Sequence, residues 1–393
     1  MKAVGFNQTG SVSNIELLEI PAPENLSRAE PRELKDGEVR LKFVSGSLNH
    51  LDLWLIKGLP HIKYQFPHIA GSDFCGKVIE SRSEKFKVGD RVLVYPGGNS
   101  GADNREYLPE NLRDDFLIRG ENAPGVLREE LVEQELYLVK APQHLSDAQA
   151  GAIPLAFLTA WQMVAEKGFS LGNASPASLP QLRSEQVGTS REKSSESYDP
   201  QKIELVPTCP DSGGKRLSEP VLVHAAGSGV SQAILELLLS FGFKKIAASS
   251  RSKEKLELWR KRGIQGFISG SNLENELKTW VGRERFGLIF DHVGQAYFEM
   301  NIRLLRKNGR FITCGSTSGF KAPLDLRHLF FRQLQLLGST MGSLQEFKKM
   351  VNWMAEKKTI PYISHTFPFD NPQPAYELME AGRQNGKVVL TAK

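Results

Sequence analysis

The residues best placed to do chemistry lie near the middle of the chain, in Pro220-Val-Leu-Val-His-Ala-Ala-Gly-Ser-Gly-Val-Ser-Gln232. Val221 to Val223 read as a buried strand, and the apolar run Ile234 to Leu239 reads as a helix. Between them the backbone must turn sharply, which Gly227 and Gly229 permit. A turn of this kind aims free backbone N–H groups at whatever lies above the helix N-terminus, and a pyrophosphate fits there. Gly227, Ser228, Gly229 and Val230 are therefore candidate cofactor-binding residues. Gln232 stands where the last glycine of G-x-G-x-x-G belongs, with Ser231 before it, so an ordinary strand-to-helix turn stays open as an alternative.

A second strand, Lys245-Ile-Ala-Ala-Ser249, follows about twenty residues on and runs into Ser250-Arg251-Ser252-Lys253. An acid at that strand end would hold the ribose 2′-hydroxyl of NAD. Hydroxyls and cations suit the 2′-phosphate of NADP instead. Ser250, Arg251 and Lys255 therefore point to NADPH, the two cations through charge-assisted bonds. A solvated helix start is their structural alternative.

The surrounding elements fit that placement. From residue 219 onward, strands at 221–224, 245–249, 266–268, 287–290, 309–314 and 334–337 alternate with helices at 233–241, 253–262, 301–306 and 344–356. This rhythm predicts a parallel sheet covered on both faces. Residues 1 to about 150 read as β-rich, with strands at 39–44, 76–79 and 91–95 and a polar lobe over 97–125. Ser146 reads as the N-cap of a short helix, and Ala156 to Glu166 as a second helix. Residues 171–218 are rich in Ser, Pro, Gln, Lys and Glu and poor in large apolar groups, so a flexible surface insertion is expected.

Composition bounds the rest. The chain of 393 residues is 40% hydrophobic and 24% charged, enough for two domains with real cores. A net charge of +5 is too dilute to argue for nucleic acid. The three cysteines, Cys75, Cys209 and Cys314, are far apart, which argues against a disulfide framework and a cysteine-rich zinc site. Met1 to Phe6 reads as a strand rather than a leader, and no run approaches the roughly 20 apolar residues needed to span a bilayer. A cytoplasmic protein with no membrane partner is the expectation.

The order of several motifs resembles the medium-chain dehydrogenase/reductases, and within them the zinc-independent, quinone-oxidoreductase-like branch. The matching stretches are Leu48–Trp54, Pro67–Asp73, Val88–Val92, Leu155–Trp161, the 221–231 turn, Lys307–Phe311, Leu337–Gly342 and Gly386–Leu390. The fold class so implied is α/β: a Rossmann doubly wound parallel sheet plus a GroES-like, barrel-type β domain. The implied division is 1–154 plus 342–393 for the GroES-like domain, and 155–341, with the insertion, for the Rossmann domain.

The resemblance also implies site residues. Asn49 would lie beneath the nicotinamide and donate to a substrate oxygen, with a turn-stabilising role as its alternative. Asp52 would orient that loop or cap a helix, and His50 would be a proton donor or a plain surface or core residue. Thr159 would pack against the nicotinamide ring or simply within its helix. Val293, Cys314, Gly315 and Ser316 would contact nicotinamide through backbone, with Cys314 preferred as a small apolar filler. The family's zinc ligands correspond to Asn49, Ser72 and Leu155, none of which serves. No metal is therefore expected. Without a Lewis acid, NADPH-dependent hydride transfer to a quinone or α,β-unsaturated carbonyl is the implied reaction. A non-catalytic NADPH-binding protein and an alcohol dehydrogenase stay open, as does a homodimer.

Overall fold

The computed structural model describes residues 1–21, 33–60, 62–169 and 216–392. Six strands form one all-parallel sheet in the order Gln265–Ile268, Ile246–Ser250, Val221–Val223, Phe286–Asp291, Leu305–Thr313, Gln335–Gly338. The central strands are uniformly buried, as a sheet covered on both faces requires. Strand order reverses between Val221–Val223, which leads outward to Ile246–Ser250, and Phe286–Asp291 on its other side. That reversal opens a crevice beyond the strands' carboxyl ends.

The second sheet runs Leu138–Lys140, Arg91–Val94, Cys75–Ser81, Glu38–Leu48, Lys387–Thr391, Ile363–Pro368, with Glu130–Gln134 also paired to Glu38–Leu48. The C-terminal strand is thus inserted beside a long N-terminal one. Their antiparallel register sets Val388 opposite Leu48, which brings Lys387 next to Asn49. The molecule is the expected α/β combination of a Rossmann sheet and a GroES-like β domain.

Most elements fall where the sequence places them, and the exceptions have local causes. The helix expected over 301–306 is Gln295–Leu304, and Leu305 already opens the next strand. The apolar residues Leu304 and Leu305 carry no mark of that junction. The helix read as Ala156–Glu166 begins at Pro154, whose missing N–H costs nothing in a first turn, and continues past Trp161 as a π-helical stretch. The helix after the glycine turn starts at Gly229, four residues early, because Ser228 caps it by accepting from Ser231 N. Ser146 caps its helix as expected, accepting from Gln149 N. The polar 97–125 lobe contains an antiparallel pair, Gly97–Asn99 with Phe116–Ile118. Nearly all of the 171–218 insertion lies outside the described residues.

Candidate active site

A cavity of about 230 Å³ lies where the carboxyl ends of the parallel strands meet the β domain. From the β domain come Asn49, His50, Trp54, Gln384 and Lys387. The helix Pro154–Trp161 gives Leu155 and Thr159. The glycine turn gives Ser228, Gly229 and Val230, and the strand ends give His292, Cys314, Gly315 and Thr317. Leu48, Leu51, Ile118, Met341 and Met379 make much of the wall apolar.

Asn49 is held on both faces of its amide. Its Nδ2 donates to Asp73 Oδ2 at 3.0 Å, while its Oδ1 accepts from Lys387 Nζ at 2.6 Å. A primary amide has two N–H groups, and the second has no hydrogen-bond partner among the described residues. Lys387 also donates to Leu48 O at 3.1 Å and Asp73 Oδ2 at 3.2 Å. Asp73 is fully buried, and its carboxylate further accepts from Ser47 Oγ and from Leu155 N at 2.7 Å. A lysine ammonium therefore sits inside the group of side chains around Asn49, tied to a buried carboxylate.

Asp52 works beneath this layer and does not line the cavity. It is the third residue of the helix His50–Lys57, not its cap. Asn49 holds the capping position, and Asp52 Oδ2 accepts from Asn49 N at 2.7 Å. Its other oxygen accepts from Gly71 N at 3.1 Å. One carboxylate thereby joins the start of the helix to the turn leading to Asp73. Burial raises its pKa to about 6, partly opposed by the Asn49 N–H and reinforced by Asp73. His50 faces the cavity with its ring 6.3 Å from Trp54, and its pKa is lowered first by desolvation and then by the Lys387 and Lys57 charges. It is a neutral imidazole at neutral pH.

Thr159 lines the cavity but spends its hydroxyl proton on Leu155 O at 2.9 Å. Burial pushes the Cys314 thiol up to about 12, which leaves it an inert wall group. Val293 and Ser316 do not line the cavity. The Val293 carbonyl is taken by Ser318, through N at 2.8 Å and Oγ at 2.6 Å.

At the glycine turn, a Cβ on Gly227 would collide with the Lys255 side chain, and one on Gly229 would come 2.8 Å from Lys387 Cδ. The missing Cβ atoms let the turn pack directly against both lysine side chains. Ser250 is buried and Arg251 exposed at the end of the neighbouring strand. Lys255 Nζ donates to Gly382 O at 2.9 Å, and its pKa is lowered by burial and then by Arg251. These three stand at the edge of the site, outside the cavity lining.

Sequence reasoning missed Lys387 and His292. Lys387 lies within the quoted Gly386–Leu390 motif, but only the strand pairing with Glu38–Leu48 shows what it faces. His292 directly follows the strand Phe286–Asp291, so the strand-end rule that singled out Val293 was one residue from it.

Comparison with known proteins agrees with this architecture. Residues 35–143 match the alcohol dehydrogenase GroES-like domain, and residues 229–356 match the zinc-binding dehydrogenase domain. A solved NAD-dependent alcohol dehydrogenase superposes with a TM-score of 0.79 at 30% identity, covering 100% of both chains. A zinc-type alcohol dehydrogenase-like protein of Schizosaccharomyces pombe is 28% identical over 378 residues, covering 92% of each chain. A 2-methylene-furan-3-one reductase of Solanum lycopersicum is 24% identical over 394 residues, covering 99% of this chain and 79% of its own.

Proposed function

The chain belongs to the medium-chain dehydrogenase/reductase superfamily, and on that premise we propose that it reduces a quinone or α,β-unsaturated carbonyl with NADPH and without catalytic zinc. One observation carries this reading. Around Asn49 the cationic position is filled by the Lys387 ammonium, bonded to Asp73, Asn49 and Leu48. A zinc site needs several convergent N, S or O donors free to ligate. Here Leu155 offers a side chain with no donor, Ser72 Oγ donates to Arg119 O, and Asp73 is already neutralised. That donor set does not fit a zinc ion.

The residues do fit a dinucleotide. Gly227, Ser228 and Gly229 would hold its diphosphate, and Ser250, Arg251 and Lys255 its 2′-phosphate. When bound, the reduced nicotinamide supplies the hydride. The chain supplies the rest. Its apolar walls exclude water and receive the conjugated substrate. The second N–H of Asn49, backed by the Lys387 charge, stabilises negative charge growing on the substrate oxygen. Neutral His50 relays a proton: its ring N–H proton passes to the resulting enolate as solvent protonates its other ring nitrogen, so the ring stays neutral throughout. The tomato relative is named for reduction of a compound of the enone class, which supports this substrate class.

Alcohol oxidation is the second reading, favoured by the likeness to an NAD-dependent alcohol dehydrogenase. A panel of quinones and enones with NADPH or NADH, set against alcohols with NAD⁺ or NADP⁺, separates the two. The expected result is NADPH oxidation that persists in a chelator, with less than 0.1 equivalent of zinc per chain by elemental analysis. Arg251→Asp should raise the NADPH Michaelis constant tenfold or more and leave that for NADH unchanged. Turnover of alcohols alone, abolished by chelation, would overturn the proposal.

A further inference from the structure

Beneath the glycine turn runs a chain of polar groups whose protons can be assigned one by one. Ser231 is fully buried and has a single hydroxyl proton, which it donates to His224 O at 2.6 Å. The Ser231 oxygen also lies 3.1 Å from His292 Nε2. With the Ser231 proton already spent, that second bond exists only if His292 Nε2 carries hydrogen and donates. The same nitrogen is 2.8 Å from Ser228 Oγ. A protonated Nε2 has no lone pair, so Ser228 cannot donate to it and must accept from it. Ser228 Oγ also accepts from Ser231 N at 3.1 Å. Its acceptor capacity is thus filled from below, and its own proton is left for a partner in the cavity that Ser228 and His292 both line.

His224 anchors this arrangement from behind the strand. It is fully buried, with Nδ1 2.7 Å from Ser249 Oγ and Nε2 2.8 Å from Asn301 Oδ1. The Asn301 carbonyl oxygen only accepts, so Nε2 donates to it and Nδ1 accepts the Ser249 proton. The ring is held between the Ser249 and Asn301 side chains, and the strand end whose carbonyl receives Ser231 is held with it.

We propose that His292 is a positioning residue for the coenzyme: its Nε2–H fixes Ser228 as a hydrogen-bond donor to the diphosphate at the start of the helix Gly229–Ser240. The inference rests on the dinucleotide reading above and adds to it the residue that sets proton direction at the diphosphate. Were His292 the other tautomer, Ser228 would spend its proton on the ring and present only lone pairs to an anion, which repel it. The bond at stake is a hydroxyl to a charged oxygen, worth about tenfold in affinity.

The test is a double-mutant cycle on the full chain, reading NADPH affinity by calorimetry or nucleotide fluorescence. His292→Phe removes the donor and should weaken NADPH about tenfold. Ser228→Ala should weaken it by a similar factor, and the double variant should be no weaker than either single one. His292→Gln, which can place an amide N–H where Nε2–H lies, should bind within about twofold of wild type. A residue that only fills space would give independent losses, and Gln would rescue no better than Phe. Either result overturns the inference, as does His292→Phe binding NADPH like wild type. Should His292→Phe prove unfolded by circular dichroism, the Gln and Ser228→Ala variants decide it alone: Gln near wild type with Ser228→Ala tenfold weaker supports it, and any other pairing refutes it. Wild-type protein that binds no NADPH at all would instead sink the dinucleotide reading itself.

Discussion

Lys387 is the residue on which the metal-free reading turns, and it carries a stability consequence. Its side chain is 4% exposed and that of its partner Asp73 is 0% exposed. Removing one member of a buried ion pair strands the other charge in a poor solvent, which costs about 3–5 kcal/mol. Lys387→Met should therefore destabilise the protein by that order in urea denaturation, and adding Asp73→Asn should recover much of the loss. A Lys387→Met protein as stable as wild type would show that the pair is not held as described. Asp52 has a different signature. Its folded pKa, about 6, lies above the ordinary carboxylate value of 3.8 because burial penalises its charge. The folded state therefore binds this proton more tightly than the unfolded chain. The sign follows: stability from this group is full below pH 4, falls as pH rises toward 6, and is then constant, a change of about 3 kcal/mol. Asp52→Asn has no such proton, so wild type should lose stability relative to it between pH 4 and 6, as measured by denaturant titration at each pH. A difference between the two proteins that does not vary over that window would contradict the raised pKa.

At the scale of elements, two glycines that look alike in sequence have different duties. Gly386 has φ of +105°, and a Cβ there would lie 2.6 Å from both Tyr362 O and Gln232 Oε1. Gly386→Ala is therefore strained in backbone and space together, and should cost about 1–3 kcal/mol in thermal unfolding. A Cβ on Gly227 meets only the flexible Lys255 side chain, at a residue without positive φ. Gly227→Ala should fold with near wild-type stability but bind NADPH more weakly, because the methyl displaces the Lys255 side chain, one of the cations proposed for the 2′-phosphate. Equal stability losses in the two variants would contradict this division. The contrast also shows where the sequence was legible. The strand, turn and helix over 221–240 stand out because apolar runs flank two closely spaced glycines, so the turn could be read directly although the helix start at Gly229 could not. Asn49, His50 and Thr159 are reached only through the family resemblance, not through any local pattern, and all three line the cavity. The strand Ile363–Pro368 was not legible, since Ser364, His365 and Thr366 give it no apolar alternation and it lies half-exposed at a sheet edge. Lys387 acquires its meaning only when Lys387–Thr391 pairs with Glu38–Leu48, a contact across more than three hundred residues. No local pattern encodes that pairing. His224, Ser231 and His292 likewise form a unit only after the strands lie side by side.

Across the whole molecule, the segment following the helix Gln373–Glu380 clasps the glycine turn. Gly382 O accepts from Lys255 Nζ at 2.9 Å, Asn385 Oδ1 accepts from Gln232 Nε2 at 2.8 Å, and Gly386 N donates to Gly227 O at 3.0 Å. The next residue is Lys387, whose ammonium reaches Asn49 and Asp73. One stretch of chain therefore touches the glycine turn at one end and the Asn49 amide at the other, the two places assigned above to the coenzyme's diphosphate and the substrate oxygen by proposal. A ligand that orders the glycine turn is expected to order this clasp as well, because they share hydrogen bonds. In hydrogen-exchange mass spectrometry, saturating NADPH should slow exchange over residues 225–232 and 382–387 by similar factors, while the sheet edge at 265–268, which shares none of these bonds, should be unaffected. Gly386→Ala should uncouple the two, so that NADPH protects 225–232 but leaves 382–387 near its free rate. Protection confined to 225–232 in the wild-type protein would mean that the clasp is a passive neighbour of the coenzyme, and that the pairing of Lys387 with Asn49 is set before the coenzyme arrives.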